Sequence, residues 1–176
     1  MNKAFIGFPI GLMVGLIICV ILFKIANTNK KIKSEYDERQ EAIRNRGYKY
    51  SFYALIVAEL ALMCARALEI TFPFADYLLH LGAMLFGLLF LGIYTIWNDA
   101  YWGMNNNRKR YTVIIVIAVL LNILPVVMAV KNGFLGNAGL NSVPIMNIMV
   151  LVWLAIIGIA AVIKKIVKKN DAEEEE

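Results

Sequence analysis

Five apolar stretches, each long enough to cross a bilayer, leave this chain few ways to fold. A membrane helix needs about 20 mainly apolar residues to span a hydrocarbon core of roughly 30 Å. Residues 4–23, 50–72, 75–97, 111–130 and 143–163 all meet that length. None shows the strict alternation of a membrane strand. Hydrocarbon offers backbone amides no partner, so each stretch must satisfy its own hydrogen bonds as a helix. The expected fold is therefore an all-α membrane protein with five transmembrane helices in one bundle. Composition agrees, because 60% of the 176 residues are hydrophobic and only 18% charged, too apolar for a water-soluble domain. The length suits a single helical transmembrane domain over residues 1–170, and the acidic run 171–176 has nothing to bury and is expected to be a disordered tail.

The cations set an orientation. Of 18 Lys and Arg, all but Lys3, Lys131 and Arg66 fall in residues 24–49, 108–110 or 164–169. Cytoplasmic flanks retain Lys and Arg, so those three segments are expected inside, with the N-terminus outside and the C-terminus in the cytoplasm. The net charge of +5 then points to anionic lipid rather than to nucleic acid. The first stretch is expected to stay as a helix, being longer than the apolar core of a cleaved signal. Cys19 and Cys64 lie within spans, with no Cys-x-x-Cys spacing and no histidine cluster near them. They are expected to be packing residues, with neither a disulfide nor a metal site.

Three features stand above the apolar background. Gly7, Gly11 and Gly15 recur every four residues in the first span, which stacks them on one face and reads as a helix-packing groove or a seam between copies. The second feature is a set of ionisable side chains inside the membrane: Glu59, Arg66 and Glu69 in the second span and His80 in the third. Charges in hydrocarbon cost about 2.5–3.5 kcal/mol on insertion scales and so seek partners. Arg66 and Glu69, three apart, are neighbours on a helix surface. A tight turn at Pro73-Phe74 is expected to bring His80 to their depth. The cluster reads first as an internal salt bridge pinning the hairpin and second as a proton or ion path. Asn122 and Asn147 fit interhelical hydrogen bonding as well as a substrate site.

The third feature is the cytoplasmic segment. Ser34 with Asp37 is similar to a capping box, and Tyr36, Ile43 and Tyr50 recur every seven residues. An amphipathic, surface-lying helix is expected over 34–49, leading into the second span at Gly47. It reads as a connector or as a docking element for a cytosolic partner.

The run Glu35-Tyr36-Asp37-Glu38-Arg39-Gln40, followed by Arg46 to Phe52, and the later Ile96-Trp97-Asn98-Asp99-Ala100-Tyr101-Trp102-Gly103 with Asn105-Asn106-Asn107, resemble an uncharacterised family of small multi-pass membrane proteins of low-GC Gram-positive bacteria. The resemblance implies a bacterial plasma membrane and brings no catalytic residue with it. Both boxes are expected at the cytoplasmic surface, where the hairpin makes them adjacent. Asp99 is then a partner for Arg44 or Arg46, with Trp97, Tyr101 and Trp102 as an aromatic belt. Tyr36, Asp37, Glu38, Arg39, Gln40, Asn98 and Asp99 are the candidate partner-binding residues.

No hydrolase elbow, His-Glu-x-x-His or phosphate loop occurs, and there is one histidine. Glu59 and Glu69 stand about 15 Å apart on a helix, too far to act on one bond. The chain is expected to be non-enzymatic and without a cofactor. It reads as an integral membrane protein whose cytoplasmic face is an interaction or regulatory surface, alternatively as a small transporter or channel subunit using Glu59, Arg66, Glu69 and His80. Expected partners are membrane lipid and either a cytosolic or membrane protein or a second copy of the chain.

Overall fold

A computed structural model of the chain describes the backbone over residues 3–131 and 143–174, and side chains over 13–131 and 144–171. Its five described helices are α1 (Lys3–Ala26), α2 (Glu38–Ala67), α3 (Asp76–Trp97), α4 (Arg108–Lys131) and α5 (Val143–Glu174). Among the described residues there is no strand, only an isolated antiparallel bridge between Asn27 and Asn106. Helices α2 to α5 are each long and apolar enough to cross a membrane, and the fully described part of α1, Met13–Ala26, is a shorter apolar helix.

The burial pattern fits hydrocarbon surroundings. Large apolar side chains such as Leu60, Leu120, Leu121 and Ile159 are exposed, while the buried apolar set among the described residues is small: Ala26, Ala54, Leu78, Ala83, Ile96, Ala100 and Ile157. Water would not tolerate so much contiguous apolar surface on a stable monomer.

Internal packing divides the chain into two compact units. The first comprises Met1–Asp37 and Trp102–Ile117, the second Glu38–Tyr101 and Ala118–Glu176. In the second unit, α3 lies between α2 and α5 and packs on both. Small residues set the approach. A Cβ at Gly87 would stand 3.0 Å from the Ser51 carbonyl oxygen and 3.1 Å from Leu55 Cβ, and one at Gly92 would stand 2.5 Å from Ile157 Cδ1. At Gly87 the neighbour is backbone, so glycine is what lets α2 and α3 come so near; at Gly92 it is the end of the Ile157 side chain. Trp153 of α5 adds an indole N–H donated to the Leu85 carbonyl at 3.0 Å.

Several boundaries differ from expectation. Helix α2 runs unbroken from Glu38, so no separate surface helix spans 34–49 and Gly47 is not a junction. Instead Gly47 is buried, and a Cβ there would press Leu91 and Tyr94 of α3. The 30 residues of α2 make a rod about 45 Å long, longer than the roughly 30 Å of a hydrocarbon core. Ser34 is not a cap: its Oγ accepts a hydrogen bond from Asn106 Nδ2 at 2.9 Å, and Asp37 immediately precedes the helix, the place where an aspartate is favoured. At its other end α2 stops at Ala67, five residues short of the expected end of the span at 72. There Ile70 N–H reaches the Ala65 carbonyl and Glu69 N–H the Arg66 carbonyl, a Schellman closure with Glu69 left-handed at φ 57°. Helix α3 ends the same way, with Ala100 N–H on the Thr95 carbonyl and Asp99 at φ 55°. Helix α5 continues to Glu174.

Candidate functional site

The first unit is organised by asparagines. Residues 27–35, after α1, meet residues 103–107, before α4. Asn27 is fully buried; its Nδ2 donates to the Lys31 carbonyl at 2.8 Å, and its Oδ1 accepts from Asn106 Nδ2 at 2.8 Å and Tyr111 Oη at 3.0 Å. Asn105, 5% exposed, donates to Asn29 Oδ1 and to the Lys33 carbonyl, both at 3.1 Å, while its Oδ1 accepts the Glu35 amide at 2.8 Å. Its carbonyl takes both the amide and the hydroxyl of Thr28, at 2.9 and 3.0 Å. A side chain carrying two donors and an acceptor can satisfy loop backbone that no helix or sheet serves. The segments of this knot and the adjoining helix ends carry Lys24, Lys30, Lys31, Lys33, Arg108, Lys109 and Arg110, with Glu35 and Asp37 as the acids. Lys31 pairs with Glu35 at 2.9 Å.

In the second unit the two boxes do meet. Gln40 Nε2 donates to the Asp99 carbonyl at 3.2 Å, and Arg44 reaches the Ala100 carbonyl at 3.4 Å and Tyr48 Oη at 3.0 Å. The Asp99 carboxylate was expected to face Arg44 or Arg46. The structure sets Lys164 of α5 beside it, at 3.7 Å, and the same ammonium lies 6.0 Å from the Trp97 ring centroid. Helix α5 packs on α3, which brings its lysine to the α3 terminus. Glu38, Arg39 and Asp99 are exposed, Gln40 is half-buried, and Asn98 is half-buried with its Nδ2 on the Tyr94 carbonyl at 2.8 Å. Tyr36, half-buried, and Asp37, exposed, belong to the first unit.

The ionisable residues expected as a cluster in α2 and α3 pair differently from what the spacing predicts. His80 Nδ1 lies 2.8 Å from Glu59 Oε2, and Arg66 pairs with Asp76, not with Glu69. The early end of α2 shifts the hairpin register, so His80 stands opposite Glu59 rather than beside Arg66, and Glu69 sits in the turn beyond the helix. Arg66 in the last turn of α2 and Asp76 in the first turn of α3 also lie at favourable ends of their helix dipoles. All four paired residues line one groove between α2 and α3, of about 430 Å³, whose remaining wall is aliphatic.

The glycine face of α1 finds no neighbour at Gly15, where nothing lies within 4 Å of a built Cβ; the surroundings of Gly7 and Gly11 are outside the described residues. Cys19 and Cys64, expected to pack, are exposed. Asn122 donates to its own helix, at the Ala118 carbonyl, 2.8 Å away. Sequence reasoning missed Asn27, Asn29, Asp76, Gly87 and Gly92. The signal for the first two was present, because Asn27-Thr28-Asn29 and Asn105-Asn106-Asn107 are the two asparagine-rich stretches at span ends.

Comparison with family models, with curated proteins and with solved structures yields no match to this chain.

Proposed function

We propose that this chain is a non-enzymatic membrane protein of a bacterial plasma membrane, with five spanning helices, the N-terminus outside and the C-terminus in the cytoplasm. Its cytoplasmic face is a docking or regulatory surface for a protein partner. The observation that carries this reading is the meeting of Gln40 with the Asp99 carbonyl, which joins the two boxes of the second unit into one polar face with Glu38, Arg39 and Asp99 exposed. Ordered polar groups on a rigid helix end lose little entropy on binding. The resemblance carried by these boxes supports the bacterial assignment, and the cation asymmetry supports the orientation.

Affinity capture of the tagged full chain from native membranes in mild detergent tests it. A stoichiometric protein should co-purify with the wild type and be lost from Arg39→Ala/Asp99→Ala; an unchanged yield from that variant would sink the reading. Orientation is checked in a Cys19→Ser/Cys64→Ser background, where Asn45→Cys and Lys109→Cys should resist an impermeant thiol reagent in intact cells and Asn137→Cys should react. The alternative, transport through Glu59, Arg66, Glu69 and His80, draws support from the Glu59–His80 contact. It requires flux that Glu59→Gln abolishes while the box variant conducts.

A further inference from the structure

We propose that the groove between α2 and α3 binds a lipophilic cation, with the Glu59 carboxylate as its counter-ion. The proposal stands apart from the docking surface and does not depend on it.

The groove offers about 430 Å³, the size of a small-molecule site. Most of its lining is aliphatic, with Ile56, Leu60, Met63 and Leu79 as the wall. Two polar pairs set its charge, and they are not equivalent. Arg66 holds Asp76, and a guanidinium does not give up its proton in a protein, so the Asp76 carboxylate has a permanent cation. Glu59 is held by His80, and an imidazole can hydrogen-bond a carboxylate without carrying a charge. Glu59 thus has no permanent cation beside it, in a groove whose wall is otherwise apolar and where a charge seeks a partner. A cation entering there supplies that partner.

The neighbouring elements bring no competitor. Besides Arg66 and His80 the groove is lined by no cation; Glu69, in the turn after α2, is acidic. Helix α5, packed on α3, has no ionisable side chain between Pro144 and Ile163. Access is open, because the side chains of Glu59 and His80 are 35% and 58% exposed.

The wall selects what kind of cation. A small hydrated ion would exchange water for methyl groups and gain nothing. Among the described residues no three His, Cys, Asp or Glu side chains form a metal-holding group. An anion would meet Glu59 while Arg66 is already engaged. A charged centre shielded by apolar substituents suits both the carboxylate and the wall, with the flexible Met63 thioether adapting to its shape.

Tetraphenylphosphonium is the probe, in equilibrium binding to the purified full-length protein in mild detergent. Saturable binding near one per chain is expected. Glu59→Gln should weaken it at least about tenfold, Leu60→Trp should weaken it by filling the groove, and His80→Gln, which can never carry a charge, should bind as well as the wild type or better. On the wild type itself, neutral triphenylphosphine oxide should not displace the probe at matched concentration. Each variant is compared only if it elutes as a single species with an unfolding transition. Absence of saturable binding, wild-type affinity in Glu59→Gln, or displacement by the neutral analogue would each overturn the proposal.

Discussion

The two units solve the same problem with opposite chemistry. Between α1 and α4 the chain holds itself by side-chain amides that serve loop backbone, with Asn27 and Asn105 buried and no glycine-mediated helix crossing at Gly15. Between α2, α3 and α5 it holds itself by removing side chains: Gly87 faces the Ser51 carbonyl of α2, and Gly92 leaves room for the Ile157 side chain of α5. The first strategy suits irregular chain at a wet surface, where each unpaired peptide group must be found a partner. The second suits helices in hydrocarbon, where apolar burial supplies no net drive and close packing must do the work.

The contrast breaks most readily at Asn105. Asn105→Ala removes two donated hydrogen bonds and strands the Glu35 amide, a loss of about 2–4 kcal/mol. Hydrogen exchange should rise in residues 27–36 while α2 and α3 stay protected; uniform loosening of both units would mean that they do not stabilise independently. Next in size is Gly87→Val, expected to cost about 1–3 kcal/mol by forcing α2 and α3 apart. Thermal unfolding in detergent should fall, with exchange in residues 27–36 unchanged.

A double-mutant cycle on Arg66 sharpens the account of the hairpin. Coupling to Asp76 should be measurable but no more than about 1 kcal/mol, because both side chains are substantially exposed. Coupling to Glu69 should be absent, and a larger value for Glu69 would restore the pairing expected from spacing alone. The smallest effect is expected for Gly15→Ala, a gain of no more than about 1 kcal/mol from helix propensity. A loss of stability, or of self-association in detergent, would reveal a packing seam on α1.

Much of the architecture was legible because its signals are long. A span of some 20 apolar residues outweighs any local preference, and every expected stretch lies largely within a helix. Ends were less legible, since α2 stops at a left-handed Glu69 where the expected signal is glycine, and that early stop moved His80 from Arg66 to Glu59. Gly47 looked like a break because glycine is a poor helix former, yet close packing against Leu91 and Tyr94 overrides propensity. The asparagine knot was hidden for another reason. Its contacts join residues 70 or more positions apart, and no periodicity records such a pairing.

The left-handed acids offer a last distinction. Glu69 and Asp99 end α2 and α3 in the same backbone conformation, one that glycine adopts without penalty and other residues at about 1 kcal/mol. Selection for a hardier protein would favour glycine at both. At 69 the exchange is free of consequence for any ion pair among the described residues. At 99 it would remove the carboxylate beside Lys164, easing the turn while releasing an anchor between α3 and α5. Two chemically similar positions are thus pulled in different directions, and a library screened for heat tolerance should drift to glycine at 69 and keep aspartate at 99.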